Sequence, residues 1–181
     1  MPFAHRRWAL WLALGLPLLA LAEAKLTGTP TAGFTGRGPG GFTLEGTTHE
    51  LRVQEDGTIL KITVPLGQLT TGIALRDRHM REKYLEVAKF PELVLEVPWS
   101  TVKLPSDGQR LEGSGTGKVT LHGQSKDVPI RYAVQRAGSS YQVAGHAAIN
   151  LKDFGIEVPS YFGITIQPDI DAHATFTADK P

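Results

Sequence analysis

The chain has 181 residues, of which 41% are hydrophobic and 20% charged, with no cysteine and a formal net charge of +1. A nearly neutral chain without a lysine- or arginine-rich run is not typical of a nucleic-acid-binding protein or of one that docks on anionic lipid by charge alone. The lack of cysteine excludes a cysteine nucleophile, a disulfide and a lipid anchor on an N-terminal cysteine.

The N-terminal residues have the order of a secretory signal peptide. Two arginines precede an apolar run, Trp8–Leu21, and alanines spaced two apart follow it. This order predicts a signal peptide over residues 1–24, with cleavage before Glu23 or Lys25. The apolar run is short for a membrane span. We therefore expect a periplasmic protein, with one domain over residues 25–181 and no stable membrane insertion after cleavage.

The first half of the domain predicts three strands and one helix. A segment rich in Gly, Thr and Pro predicts a weak first strand at 31–36, before a turn at 38–41. Apolar residues then alternate with polar ones over 50–54 and over 59–66, a pattern that predicts a β-hairpin. Strong helix formers without Gly or Pro predict a short helix over 75–87.

Alternation resumes in the second half and predicts five further strands, at 93–99, 118–122, 128–135, 141–152 and 162–177. Such alternation places one face of the sheet in water and the other on an apolar interior. One short helix cannot cover a broad open sheet, so the sheet must fold onto itself as a sandwich or a barrel. We expect an all-β protein built on an eight-stranded antiparallel β-barrel, which has no exposed edges.

Several positions on the predicted inner face carry small residues. They are Gly113, Gly115, Gly117, Gly145, Ala147, Ala172 and Ala174. Small inward residues either leave an open apolar lumen or let long strands coil at the corners of a barrel. The alternation alone leaves both interpretations open.

Strings that resemble catalytic signatures lack the context that those signatures need. Gly113–Lys118 resembles a phosphate-binding loop, but Glu112 stands where that loop requires its first glycine. Asp153–Gly155 spells the magnesium-binding motif of kinases without their catalytic loop. We therefore expect a protein that is not an enzyme.

Three histidines, His122, His146 and His173, are predicted on the outer face, on strands that can approach one another. No carboxylate completes a spacing typical of a metal site, and a zinc site needs ligands in fixed tetrahedral geometry. We expect neither a metal nor a cofactor.

The segment Arg76–Arg81 is the most polar in the chain. One interpretation is a polar mouth at one end of the barrel, formed by Arg76, Asp77, His79 and Arg81, where a ligand's polar head would bind. The alternative is that Asp77 caps the helix and pairs with Arg81 four residues later.

Three sequence blocks resemble the YceI-like, polyisoprenoid-binding periplasmic proteins. Leu69–Pro91 contains LTTG, LRDRHMR and LEVAKFP, Gly117–Val128 contains VTLHGQ, and Asn150–Ile156 contains DFGI. The blocks stand in the family's order, and with the sheet between them the resemblance covers residues 42–178.

The resemblance implies a lipocalin-like eight-stranded antiparallel barrel with an elongated apolar lumen. It also implies export to the periplasm and an isoprenoid-like or other long-chain amphiphilic lipid as the partner. The segment Lys25–Gly41 departs from the family pattern and predicts a short or irregular first strand. The residues predicted to line the lumen are Leu93, Leu95, Val97, Trp99, Val119, Leu121, Ile130, Tyr132, Val143, Ile149, Phe162, Ile164, Ile166 and Phe176.

Two other functions are compatible with the same sequence. One is an envelope protein with a fully packed barrel, which binds a protein partner on its outer face and holds no ligand. The other is a hydrolase or isomerase that uses Asp77 and His79.

Overall fold

The computed structural model describes residues 22–55, 57–161 and 163–179. Most of the predicted signal peptide and Phe162 of the predicted lumen wall lie outside these residues. The strands are β1 (Ala22–Glu23), β2 (Leu26–Arg37), β3 (Thr43–Thr48), β4 (Arg52–Glu55), β5 (Ile59–Pro65), β6 (Glu92–Pro98), β7 (Arg110–Leu121), β8 (Gln124–Ala137), β9 (Ser140–Asn150), β10 (Ser160–Tyr161), β11 (Ile164–Thr165) and β12 (Asp169–Asp179).

The main sheet is antiparallel and curled, with the strand order β1-β4-β5-β6-β7-β8-β9-β12-β2-β3. The short segment between β1 and β2 bonds to β4, near one end of this order, and to β12, near the other. The backbone N–H of Ala24 donates to the carbonyl of Val53 in β4 at 2.9 Å. The N–H of Asp179 in β12 donates to the carbonyl of Lys25 at 3.1 Å. The order begins at β1 and ends at β3 without a pairing between these two strands in the described ranges, so the sheet is a half-barrel and not the closed barrel that was predicted.

The all-β class and the curled antiparallel sheet are confirmed, and so is the short helix, which is the one α-helix within the described ranges. The predicted count of eight strands is wrong, because nine strands of four or more residues lie in the described ranges. The additional strand is β3, whose sequence TLEGTT has Leu44 as its only large apolar residue. The first long strand is not short, since β2 runs for 12 residues.

The helical segment is shorter than the predicted 75–87. The helix α1 spans Ala74–His79 and continues as a single wider turn over Met80–Tyr84. Glu86 then has φ of 44°, in the left-handed region, and this conformation ends the helix. No helix in the described ranges is long and apolar enough to span a bilayer.

Antiparallel pairing places the connections between strands at two ends of the sheet. The α1 end carries residues 38–42, 66–91, 122–123, 151–161 and 163–168, and the opposite end carries residues 57–58, 99–109 and 138–139. The most deeply buried side chains, Val119 and Phe154, lie in one apolar cluster. Leu151, Phe154 and Ile156 from the connection after β9 pack in that cluster and partly fill the α1 end.

Candidate functional site

The curled sheet encloses a cavity of about 830 Å³. All nine longer strands contribute residues to its wall. Aliphatic and aromatic side chains dominate this wall, because the inward positions of each strand are apolar. Cavities of this size and character are typical of sites for small molecules.

The structure places the predicted lumen residues on the cavity wall wherever it describes them. They are Leu93, Leu95, Val97, Trp99, Val119, Leu121, Ile130, Tyr132, Val143, Ile149, Ile164, Ile166 and Phe176. Phe162 lies outside the described residues. The period-two pattern therefore located the wall, while ligand contact by these residues stays a prediction.

Many further wall residues were not predicted, and they include five large apolar side chains of β2, β3 and β5. Leu60, Ile62 and Val64 share one face of β5, and their alternation carried the same signal as that of the residues that were named. Phe34 and Leu44 lie in segments rich in Gly and Thr, where the alternation is too weak to assign an inner face.

A patch of small residues keeps part of the cavity open. Gly145 and Ala147 of β9 pair with Ala174 and Ala172 of β12, and Ala174 pairs in turn with Ala32 of β2. All five border the cavity. We call them the small-residue floor, because three adjacent strands there present no large side chain to fill the space in front of them.

Other inward glycines make room for aromatic rings instead. A Cβ atom added to Gly113 would lie 2.4 Å from Cζ of Tyr132, its partner on β8. One added to Gly46 would lie 2.3 Å from Cε1 of Phe34. At Gly145 the nearest atom would be a backbone oxygen at 4.0 Å. Small inward residues thus make room for aromatic rings at some positions of the sheet and leave open volume at others.

Polar side chains border the cavity at the α1 end. Arg76 and His79 of α1 and Thr71 lie on the wall there. The guanidinium of Arg76 donates from Nε to Oγ1 of Thr71 and from Nη2 to the carbonyl of the same residue, each at 2.7 Å. These bonds fix the cationic group beside the apolar interior.

Asp77 does not belong to this polar mouth, which corrects the prediction. Its carboxylate is 5% exposed and accepts hydrogen bonds from Oγ1 of Thr70 at 2.5 Å, from the backbone N–H of Thr71 at 2.7 Å and from the Thr71 hydroxyl. Burial raises the pKa of Asp77, but these hydrogen bonds and the charge of Arg81 outweigh it and hold the pKa below its ordinary value. The carboxylate therefore connects α1 to Thr70 and Thr71, and Asp77 is not part of the cavity wall.

Arg81 is also absent from the cavity wall. Its Nη1 donates to the carbonyl of Gly67 at 3.1 Å and to that of Leu69 at 3.4 Å. The predicted mouth of four residues is therefore reduced to Arg76 and His79. Arg76 and His79 are three residues apart, and Asp77 and Arg81 are four apart, so each pair shares one side of the helical segment. The spacing groups the residues into these pairs but does not show which pair faces the cavity.

The opposite end of the cavity is crossed by the connection after β6. The hydroxyl of Tyr132 accepts a hydrogen bond from the N–H of Lys103 at 2.9 Å and donates to the carbonyl of Thr101 at 3.4 Å. The N–H of Trp99 donates to the carbonyl of Thr58 at 2.9 Å. These bonds hold the connection against the wall.

Residues 25–178 match the YceI-like domain family. The chain belongs to this family. It is 29% identical over 133 residues to UPF0312 proteins of Pseudomonas savastanoi pv. phaseolicola and Pseudomonas syringae pv. syringae, a match that covers 70% of this chain and 67% of each relative.

Two solved structures share the fold of this YceI-like domain. A polyisoprenoid-binding domain from Saccharophagus degradans, implicated in plant cell wall breakdown, has a TM-score of 0.73 at 17% identity, covering 90% of this chain and 100% of that one. BcnA of Burkholderia cenocepacia has a TM-score of 0.62 at 14% identity, covering 81% and 96%. At these identities the likeness concerns the fold alone.

One of the three histidines of the YceI-like chain is not on the outer face. His122 lies at the β7–β8 turn with φ of 51°, which removes it from the alternating pattern. Its Nδ1 is 3.1 Å from the carbonyl oxygen of Phe154, and its Nε2 is 3.0 Å from Oε2 of Glu86. Hydrogen bonds from Lys89 and His122 lower the pKa of Glu86. His122 therefore links three connections at the α1 end.

The other two histidines are neighbours on the outer row of β9 and β12. The ring centroids of His146 and His173 are 6.1 Å apart, and Nδ1 of His146 is 3.5 Å from Asp171. Arg131 continues this row on β8. Across the described ranges, no three His, Asp, Glu or Cys residues are grouped as a metal site requires.

Two glycine substitutions should separate packing glycines from the open floor. We expect Gly46→Ala to lower the free energy of unfolding by about 1–3 kcal/mol, because its methyl group displaces the Phe34 ring. The methyl group added by Gly145→Ala meets open space, so this substitution should change the free energy of unfolding by less than about 0.5 kcal/mol. Urea denaturation of both variants measures the difference, and equal losses would contradict an open floor.

Proposed function

We propose that this YceI-like protein is a periplasmic carrier that holds a long-chain isoprenoid or similar amphiphilic lipid in its cavity. The observation that carries the proposal is the apolar hollow of about 830 Å³ inside the curled sheet. Each methylene that a tail buries there contributes roughly 0.8 kcal/mol. An apolar ligand that fills this hollow would stabilise the folded protein.

The two ends of the hollow differ in a way that suits an amphiphile. Arg76 and His79 lie on the wall at the α1 end. Between the ends, residues such as Leu95, Val119 and Ile149 supply an apolar wall. We expect the tail to lie along the strands and the polar head to lie beside α1, where a guanidinium can donate hydrogen bonds.

The geometry favours binding over the two alternatives. A fully packed barrel would leave no cavity of this volume. A hydrolase or isomerase that used Asp77 would need its carboxylate beside the substrate, but Thr70 and Thr71 occupy that carboxylate. The structural neighbour from Saccharophagus degradans is described as polyisoprenoid-binding, which supports the same class of ligand for this chain.

Export completes the proposal, because a carrier in the periplasm can exchange lipid with the cell envelope. It is supported by the order of charge, apolar run and small residues in residues 1–24. Cleavage before Glu23 would keep the hydrogen bond between Ala24 and Val53, whereas cleavage before Lys25 would remove it.

The test is to purify the exported full-length product from the periplasmic fraction without detergent. N-terminal sequencing then gives the cleavage site, and organic extraction with mass spectrometry gives the bound lipid. We expect a prenyl or long-chain lipid in near-equimolar amount. An unrelated periplasmic protein purified in the same way serves as the control. Lipid no more abundant than in that control would reject the carrier function.

A further inference from the structure

Four large apolar side chains lie exposed at the α1 end, where a folded protein normally presents polar residues. They are Phe42, Ile73, Leu75 and Ile164, and all four also border the cavity. We call them the apolar rim. In the described part of the chain one further large apolar side chain is as exposed, Leu104, and it lies at the opposite end. Single exposed apolar residues are ordinary, but a group around one opening marks an interaction site.

The rim residues come from three separate connections that the fold brings to one opening. A Cβ atom on Gly38 would lie 3.0 Å from Cδ1 of Phe42 and 3.7 Å from Cγ2 of Ile164, so these two side chains lie close together. Thr70 exchanges backbone hydrogen bonds of 2.8 and 2.9 Å with Thr47 of β3. This exchange places the start of the α1 connection, which carries Ile73 and Leu75, beside the strand that follows Phe42.

Basic residues accompany the rim, although the chain as a whole is almost neutral. The connection that carries α1, residues 66–91, has five Lys and Arg against three Asp and Glu. Arg78 is exposed on α1, and exposed Lys83 follows it, paired with Glu157 at 3.4 Å. At the opposite end, Lys103 is balanced by Asp107 in the connection after β6. The part of the rim that the α1 connection carries thus combines apolar side chains with an excess of two positive charges, and residues 151–168, which carry Ile164, offset one of them.

We infer that the apolar rim docks on the surface of an anionic phospholipid bilayer and passes lipid directly between that surface and the cavity. The inference rests on the proposed function. A tail that crossed water would be exposed at a cost of roughly 0.8 kcal/mol for each methylene. A protein partner seated on the rim would cover the opening, whereas a bilayer there supplies the ligand itself.

The docking is shallow and reversible. Four partly exposed side chains bury little area, and the described chain has no helix that could span the bilayer. Basic residues near an anionic surface add an attraction that salt screens. A carrier needs this combination, because it must leave the membrane once it is loaded.

The test measures transfer of nitrobenzoxadiazole-labelled geranylgeraniol from the full-length exported protein to vesicles of phosphatidylethanolamine and phosphatidylglycerol. Direct transfer predicts a rate that rises in proportion to vesicle concentration and falls when phosphatidylcholine replaces the anionic lipid. The double variant Ile73→Ser/Leu75→Ser should transfer about tenfold more slowly or worse, because two apolar contacts with the bilayer are lost. Leu104→Ser is the matched control, since Leu104 also borders the cavity but lies at the opposite end, and it is 49% exposed where Leu75 is 43% exposed. The transfer rate of this variant should depend on vesicle concentration as that of the wild type does.

The loaded fraction of each protein is measured separately by native mass spectrometry, and transfer rates are compared at equal loading. A rate independent of vesicle concentration would overturn docking and leave the carrier function intact. Docking would also be overturned, with the carrier function intact, if Leu104→Ser slowed transfer as much as Ile73→Ser/Leu75→Ser. A rim that instead joins two copies of the chain would give a wild-type dimer and a monomeric variant in sedimentation, and this too would overturn docking. Wild-type protein that takes up no labelled lipid at all would reject the proposed function itself.

Discussion

Replacing Ala147 by phenylalanine should abolish lipid binding while leaving the sheet folded. Ala147 lies at the centre of the small-residue floor, between Ile130 and Ala172 in the neighbouring strands. A ring projecting from this floor would occupy the volume that a tail needs. Displacing about four methylenes costs roughly 3 kcal/mol, which weakens binding more than a hundredfold. Titration with an unlabelled prenyl alcohol, followed by native mass spectrometry, measures the loss.

The matched control is Ala148→Phe, which adds the same ring one residue along the same strand. Ala148 is exposed on the outer face, because successive side chains of a strand point to opposite sides. We expect wild-type lipid binding from this variant. Equal binding by both variants would mean that the ligand does not occupy the hollow, and equal loss in both would point to a damaged fold.

Replacing Asp77 by alanine should be the most destabilising change in the α1 connection. Its carboxylate accepts the N–H of Thr71 and the hydroxyls of Thr70 and Thr71, and it is buried. Removing a buried charged acceptor leaves donors unpaired, at a cost of about 2–3 kcal/mol. Glu82→Ala changes an exposed carboxylate one turn further on and should alter stability by less than about 0.5 kcal/mol.

The same carboxylate makes stability depend on pH in a defined direction. Because the pKa of Asp77 is lower in the folded protein than its ordinary value of 3.8, the unfolded chain binds the proton more readily. The stability that Asp77 contributes is therefore fully present above that value and is lost as the pH falls through the folded pKa. Urea denaturation should show that the free energy of unfolding falls less between neutral and acidic pH in Asp77→Ala than in the wild type. An unchanged loss would contradict this assignment.

Alternation predicted most of the sheet where the inner face is aliphatic, but it placed the start of the last strand at 162, whereas β12 begins at Asp169 and Ile164 belongs to a separate two-stranded sheet. In β5, β6 and β12 every second residue is apolar, and the period of two fixes which side chains point inward. The same rule failed at β3, where Gly46 and threonines replace the apolar residues. That strand is held by backbone pairing with β2, which leaves no mark in side-chain hydrophobicity.

The open volume was not predictable, because glycines with opposite roles look alike in sequence. Gly46 and Gly145 both lie inward, yet the Phe34 ring covers one and open space faces the other. Which of these occurs depends on the side chain across the strand pair and on the curl of the sheet. Both are long-range properties, since the paired residues are distant in the chain.

The polar mouth was predicted only in part for a local reason. Spacing along the chain indicated a dense group of charges but not which face of α1 each one takes. Asp77 and Arg81 bind backbone and hydroxyl groups of residues 67–71, so their charges are used within the connection. Arg76 and His79 remain on the cavity side.

The most direct test of the account is a crystal structure of the exported protein purified without detergent. We predict elongated electron density along the small-residue floor, running from Ala172 and Ala147 towards Arg76, with a length and shape that fit a prenyl or acyl tail. Isolated water-sized peaks in that hollow, or side chains that fill it from one end to the other, would contradict the account.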